Sequence, residues 1–276
     1  MSDTNRRRLT RRRLILAGAG AGAAGLAGCL APGEPVTEES TERFPVESAT
    51  AVAVDDRNGD VRVERGDGAD VAVAVRKRTR FDRSLLDRVA VDATTDDGVL
   101  TVASTAESDA AASRVRVDLT VQVPASVSLA RATTENGDVT AAGVPGDATL
   151  RTVNGTATAQ DVAGHVTLRS TNGDVVARGV AGVAGAVTTN GDVDVHVPAL
   201  RGDARLTSTN GDVSAGLAAD LAVRIEARTA NGHVDVRDLP LDDEQGTGSR
   251  VSGTRNGGGP TLTLQTVNGD VDLYAL

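Results

Sequence analysis

The sequence predicts an all-β fold, a β-solenoid of rungs about 18 to 21 residues long with a less regular N-terminal part, and three features of the chain lead to it. Asn-Gly-Asp-Val begins at Asn58, Asn136, Asn172, Asn190, Asn210 and Asn268, with Asn-Gly-Thr-Ala at Asn154 and Asn-Gly-His-Val at Asn231 in step with it. From Asn136 the intervals run 18, 18, 18, 20, 21 and then 37 residues, the last fitting two repeats with one degenerate or interrupted by an insertion. A period this short and this constant means stacked units, each burying its apolar face on the next. Around each Asn the apolar residues alternate with polar ones, which is the period of a strand with one buried face.

Aligned on the Asn, the elements of one rung follow in order. Four residues before it stand Ala132, Leu150, Leu168, Ala186, Leu206, Ala227 and Leu264, and three after it stand Val139, Ala157, Val175, Val193, Val213, Val234 and Val271. These two columns are a strand before the turn and a strand after it, both facing inward. A second turn is marked by Gly146, Gly164 and Gly182. Between the strands, the pairs Asn136-Gly137, Asn154-Gly155, Asn172-Gly173, Asn190-Gly191, Asn210-Gly211, Asn231-Gly232 and Asn268-Gly269 form a candidate structural ladder. In a solenoid each turn stacks on itself at roughly 4.8 Å per layer, glycine supplies positive φ at the corner, and the Asn amides can hydrogen-bond along the stack. A meander of separate Asn-Gly hairpins has the same periodicity and is the alternative. In a solenoid, Gly59, in the irregular part, is expected to tolerate substitution better than Gly173.

The core columns are mostly Ala and Val, as a narrow solenoid with close opposing sheets requires. There is no Trp, and the aromatics are Phe44, Phe81 and Tyr274. Sugar clefts and single-stranded nucleic-acid platforms rest on aromatic stacking, so this scarcity counts against both.

Residues 1–28 read as a leader: Arg11 and Arg12 lie in a twin-arginine pattern before an apolar stretch that ends Leu26-Ala27-Gly28-Cys29. The stretch is shorter than the roughly 20 apolar residues of a membrane-spanning helix. Leu-Ala-Gly-Cys resembles a lipobox, which makes Cys29, the only cysteine, the expected lipidation site; an uncleaved amphiphilic anchor is the other reading. Both place the remaining chain outside the membrane, held by a polar tether over residues 29–45. Residues 46–130 are then irregular first rungs with a cap, and 131–276 the regular solenoid.

The chain has 29 basic and 38 acidic side chains; without residues 1–28, which hold six arginines and one aspartate, 23 and 37 remain, a net of −14. Such a surface repels nucleic acid. Lys77 is the only lysine. Dense Asp, a single Lys and a small-residue core fit adaptation to very high salt, where screening is effective beyond about 3 Å; high genomic GC content also replaces Lys by Arg.

Within the irregular part, Asn58 opens a full turn-and-strand copy and Asp97-Gly98 lies midway between Asn58 and Asn136, so two rungs fit each gap. Phe81 to Arg88 reads as a short helix or outward loop capping the first rung. An early NGDVRV strand, the segment VRVDLTVQVPASV and serial T-x-NGDV units together resemble the putative-adhesin family of β-strand-repeat proteins, over Val46 to Leu276. That resemblance implies a β-repeat fold at the cell envelope and brings no active-site residues. The leader is similar to those of secreted lipoproteins in halophilic archaea.

The Asp column after the turn offers Asp174, Asp192 and Asp212 as weak candidates for divalent cations, although the nonapeptide of calcium-binding β-rolls is missing and solvated turn residues are the simpler reading. The histidines, His165, His196 and His233, match no metal motif, and no nucleophile, phosphate-loop or dinucleotide fingerprint appears. No cofactor is expected. Asn154-Gly155-Thr156 is a glycosylation sequon whose Asn belongs to the ladder, so coincidence is the simpler account. Arg151, Arg169 and Arg228 occupy one outward column and are the first candidates for contact with an envelope protein or surface glycan. The expected function is a lipid-anchored, extracytoplasmic, non-catalytic binding or scaffold module; the alternatives are a cation-binding envelope protein and, more remotely, a polysaccharide-cleaving β-helix enzyme.

Overall fold

The alternation around each Asn-Gly pair is realised as two long parallel-stranded sheets facing each other, and the structure, a computed structural model, describes residues 34–46 and 48–276. Each regular rung contributes one strand to each sheet. The strands before the turn, from Ser128–Thr133 through Ala148–Arg151, His165–Arg169, Gly182–Val187 and Ala204–Thr207, lie side by side in a 12-stranded sheet. Those after it, from Val139–Ala142 to Val213–Leu217, lie in an 11-stranded sheet. Neither sheet closes on itself, and the Asn residues pair in parallel from one turn to the next. The chain is therefore a solenoid and not a meander of hairpins.

Register keeps the inward columns intact. Leu150 faces Ala132 on one side and Leu168 on the other, Leu168 faces Ala186, and Ala186 faces Leu206. Across the core, Val139, Ala157, Val175, Val193 and Val213 stack in the same way. All of these are buried. A one-residue slip would turn every one of them to solvent, so the alternation itself fixes the register.

Both ends depart from the simple repeat. The 37-residue interval holds an insertion: after the Asn231 rung, the hairpin Asp242–Gln245 and Arg250–Arg255 packs antiparallel on the outer side of Val223–Arg228. The chain then returns inward, and Thr261–Gln265 lies between Ala204–Thr207 and Val223–Arg228. Val271–Ala275 likewise lies between Val213–Leu217 and Val234–Arg237. The last rung in sequence is thus the last but one in space.

At the other end, Asp97-Gly98 does not begin a rung. With φ of 47° and 77° it closes an antiparallel hairpin of Val89–Asp96 and Val99–Ala106, because both residues take the left-handed conformation of a tight hairpin turn. The outermost parallel layer runs Val99–Ala106, a helix Asp109–Arg114, Val115–Pro124. There the helix, capped by Ser108, replaces the Asn-Gly corner. Phe81 to Arg88 contains a short 3₁₀ helix, Arg83–Arg88, whose Leu86 enters the core between the antiparallel end strands.

The expected tether is corrected in part. Val36–Phe44 is a strand paired along its whole length with Val71–Thr79. Its polar composition lacks an apolar face, but an edge strand needs only a backbone partner. Glu39 meets Arg76 at 2.7 Å and Glu38 meets Lys77 at 3.4 Å, while Val36 and Phe44 touch the core. Its carboxylates also charge an edge that would otherwise invite pairing with another chain. Residues 29–33, with the expected leader and Cys29, lie outside the described residues.

The corner glycines are where the stacking is tightest. A Cβ on Gly173 would lie 2.2 Å from the Gly155 carbonyl oxygen, and φ there is +143°. Gly59 is no looser, which overturns the expectation from sequence: its Cβ would meet the Val117 carbonyl oxygen at 1.9 Å, because the outermost layer stacks on it as closely as a regular rung does. Gly173→Val and Gly59→Val should each lower stability by at least about 3 kcal/mol, the sum of backbone strain and overpacking, in denaturant titration at fixed salt. Gly202→Ala, with nothing within 4 Å, should leave the midpoint unchanged. Loss at Gly173 alone would show that the N-terminal rungs are not stacked as described.

Candidate functional site

The conserved geometry of the repeat lies in its corner, and each residue type there makes one bond to the neighbouring layer. Asn154 Nδ2 donates to Asn136 Oδ1, Asn172 to Asn154, Asn190 to Asn172, Asn210 to Asn190, Asn268 to Asn210 and Asn231 to Asn268, each at 2.8 Å. The amide ladder expected from sequence is therefore present, and it follows the spatial order of the rungs. Asn154 uses both ends of its amide in it, so a glycan on its nitrogen would part the ladder at that layer.

A second ladder was missed. Two residues before each Asn stand Thr134, Thr152, Ser170, Thr188, Ser208, Thr229 and Thr266, all buried. Each hydroxyl donates to the glycine carbonyl of the adjacent turn, at 2.7 to 3.0 Å. That carbonyl is the atom a corner Cβ would strike, so the same close approach that requires glycine also buries an oxygen needing a donor. The signal was legible as the Ser or Thr of every T-x-Asn-Gly unit, a polar residue fixed at a position that alternation turns inward.

The Asp column forms a third ladder. Asp174 Oδ1 accepts from the backbone N–H of Asp192, Asp192 from Asp212, Asp212 from Asp270, and Asp270 from His233, each at 2.8 Å. The Thr156 N–H donates to Asp138 Oδ1 at 2.8 Å, but Thr156 carries no carboxylate to pass on, so the relay is interrupted and resumes at Asp174. Asp174, Asp192 and Asp212, the candidates for cations, thus each spend one oxygen on the neighbouring turn. Among the described residues no three His, Cys, Asp or Glu side chains cluster as a metal site. The three histidines stay apart: His196 lies edge-on to Tyr274 with centroids 6.4 Å apart, His165 is half-buried, and His233 is exposed in its turn.

Asp56 ends the hydroxyl column. It stands two residues before Asn58, is 8% exposed, accepts from the Ser104 hydroxyl through Oδ1, and has no partner on Oδ2. Burial pushes its carboxyl up to about 6 against the Ser104 hydrogen bond.

The outward faces of the two sheets differ in charge. On the 11-stranded sheet, arginines stand beside carboxylates: Arg178 pairs with Asp194, Arg237 with Asp272, and Arg116 with both Asp60 and Asp118, while Arg43 and Arg65, on strands near its N-terminal end, are in no ion pair among the described residues. On the 12-stranded sheet, the strands Ala148–Arg151, His165–Arg169, Gly182–Val187, Ala204–Thr207 and Thr261–Gln265 carry no carboxylate at all. They expose Arg151, Arg169 and Arg205, none in an ion pair among the described residues, alongside Thr149, Thr167, Thr207 and Thr263. Arg151 and Arg169 are direct neighbours. Arg228 shares their column but stands beyond Val187, Thr207 and Gln265, three layers that separate it from Arg169, and donates to Gln265 at 2.7 Å. Arg205, two positions along its strand from Thr207, takes its place in the patch.

Two measurements follow from the buried polar groups. Thr188→Val leaves the Gly173 carbonyl without its donor and should cost about 1 to 3 kcal/mol, with Thr188→Ser close to wild type. The folded pKa of Asp56, about 6, lies above the unfolded value near 3.9, so the folded state holds the proton more tightly. Stability should therefore fall as pH rises from about 4 to about 6, by up to about 3 kcal/mol, and then level off. Asp56→Asn should flatten that decline in melts at constant ionic strength; a decline that persists would assign it to other groups.

Three solved structures each align with 87% of this chain. A putative adhesin from Bacteroides fragilis NCTC 9343 has 12% identity over 97% of its length and a TM-score of 0.46. A putative lipid binding protein from Parabacteroides distasonis ATCC 8503 has 12% identity over 97% and a TM-score of 0.40. A putative adhesin from Parabacteroides merdae ATCC 43184 has 14% identity over 96% and a TM-score of 0.30. No curated protein matches the sequence. The family resemblance noted from Val46 onward is matched from residue 118: residues 118–274, more than half of the chain, match Toastrack DUF4097, and the chain belongs to that family.

Proposed function

We propose that the chain is a lipid-anchored, extracytoplasmic surface module that binds through the outward face of the five carboxylate-free strands of its 12-stranded sheet, without catalysis. The observation that carries this reading is the charge separation: three unpaired arginines and a row of threonines on one flat face, in a protein of net charge −14 without residues 1–28. Acidic chains keep Arg unpaired at a cost in lost ion pairs, and a planar guanidinium offers a carboxylate, sulfate or phosphate two parallel hydrogen bonds. The partner this face fits is an anionic envelope polymer, an acidic surface glycan. Strand neighbours lie about 4.8 Å apart, so Arg151 and Arg169 can hold adjacent anionic groups of one chain. At molar salt long-range attraction is screened, and binding then rests on such direct contacts. The anchor is Cys29 and the export signal Arg11 with Arg12.

Arg151→Glu with Arg169→Glu should reduce binding to acidic envelope polysaccharide at least tenfold, a loss of about 1.4 kcal/mol or more, while Arg237→Glu on the other sheet should not; equal effects would remove the face from the reading. Cys29→Ser should move the protein from the detergent phase to the aqueous phase or leave an unprocessed precursor. Arg11→Lys together with Arg12→Lys should retain the precursor inside the cell, and unchanged export would point to another route.

A further inference from the structure

An Asn followed by Gly carries a chemical hazard that this fold controls. With no side chain on the following residue, the Gly backbone nitrogen can close on the Asn side-chain carbon and expel ammonia, which makes Asn among the thermolabile residues. The solenoid blocks the attacking atom. Gly59 N–H donates to the Asn136 carbonyl, Gly137 to Asn154, Gly155 to Asn172, Gly173 to Asn190, Gly191 to Asn210, Gly211 to Asn268 and Gly269 to Asn231, at 2.8 to 3.1 Å. Each of these nitrogens is occupied by the next rung.

Gly232 is different. The Asn231 rung is the terminal one of the 11-stranded sheet, since the last rung in sequence inserts on its inner side. No further Asn-Gly corner follows it: the inserted hairpin supplies carbonyls on either side, Ser249 accepting from Thr229 N–H at 3.0 Å and Gly248 from Val234 N–H at 2.7 Å, but the Gly232 N–H between them has no acceptor among the described residues. Asn231 is exposed, and its Oδ1 receives no amide from a further Asn; its only side-chain bond is Nδ2 to Asn268 Oδ1 at 2.8 Å. Asn256-Gly257 is the other pair whose Gly N–H lacks an acceptor, but there Nδ2 is held by the carbonyls of Ala219 and Leu221, both at 3.0 Å. We infer that Asn231 is a site of spontaneous deamidation and isoaspartate formation in the folded protein, the one place where the turn ladder exposes its own chemistry.

The step balances without any oxidant or cofactor. Hydroxide takes the proton of the Gly232 N–H, the nitrogen bonds to Cγ of Asn231, and the Cγ–Nδ2 bond breaks. Nδ2 departs as ammonia with a proton from water, leaving a five-membered imide. Water opens that ring at Cγ to give Asp, or at the main-chain carbonyl to give isoaspartate, whose backbone then runs through Cγ and is longer by one methylene. Either product replaces the terminal amide donor to Asn268 by a carboxylate, and isoaspartate also shifts the backbone leading into Val234–Arg237. The outermost strand is therefore the first to lose its register as the protein ages.

The test is site-resolved peptide mapping of the exported protein after incubation in mildly alkaline buffer, with enzymatic methylation to report isoaspartate. The mass increase of NH₂ replaced by OH should accumulate at Asn231 at least about tenfold faster than at Asn136, Asn172 or Asn210, whose reaction waits for local opening. In urea the difference should vanish, because every Asn-Gly pair is then exposed. Asn231→Gln should remove the isoaspartate signal from the folded protein without lowering its melting temperature. A rate at Asn231 no higher than at Asn172, or modification confined to Asn256, would overturn the inference.

Discussion

The structure depends on how closely one corner approaches the next. Backbone hydrogen bonds set the spacing between layers at roughly 4.8 Å, and at the Asn-Gly corner that spacing leaves the glycine carbonyl of one rung where the next rung's Cβ would stand. Glycine is thus demanded by distance as much as by φ. The carbonyl so enclosed must be paired, which places a hydroxyl two residues before each Asn, and the Asn amides and Asp carboxylates then join the same corner on its solvent side. Three hydrogen-bond ladders follow from one steric fact. The core needs little beyond small apolar residues in register, because the corner already aligns every strand.

This division of labour separates what is constrained from what is free. Inward positions and corners repeat; outward positions are released for other uses, and the two sheets have used them differently, one with paired charges and one with unpaired arginines and threonines. Asp56 shows what happens where the column stops. With no regular turn on its outer side, the position that elsewhere carries a hydroxyl carries a carboxyl instead, buried and partly unpartnered.

Much of this was legible in the chain. The solenoid, the inward columns and the Asn-Gly ladder follow from period and alternation alone, since both are enforced at every layer. The hydroxyl column is equally regular in the T-x-Asn-Gly units, and its signal is a polar residue fixed at an inward position, which must find a buried partner. The ends were harder. Val36–Phe44 pairs through its backbone and ion pairs, which composition does not register. Asp97-Gly98 has the spacing of a rung and the conformation of a hairpin, and only the pairing partner tells them apart. The patch of arginines was half visible: the column of Arg151 and Arg169 could be read off, but Arg205 stands two positions before that column on its own strand, and Arg228, although in the column, is separated from the pair by Val187, Thr207 and Gln265.

That strand order bears on how the chain is made. A solenoid whose layers follow one another in sequence can grow as it leaves the ribosome, each new rung completing on the last. Here the layer carrying Asn231 emerges before the one it must rest upon, and the strands Thr261–Gln265 and Val271–Ala275 enter from the chain's very end to lie between partners already synthesised. Up to that moment the Asn210 rung presents a bare apolar edge and the Asn231 rung has nothing beneath it. The final stretch is the keystone of the arch, and a nascent chain released short of it would leave the facing edges of the Asn210 and Asn231 rungs open as templates, in addition to the edges at the ends of the finished sheets.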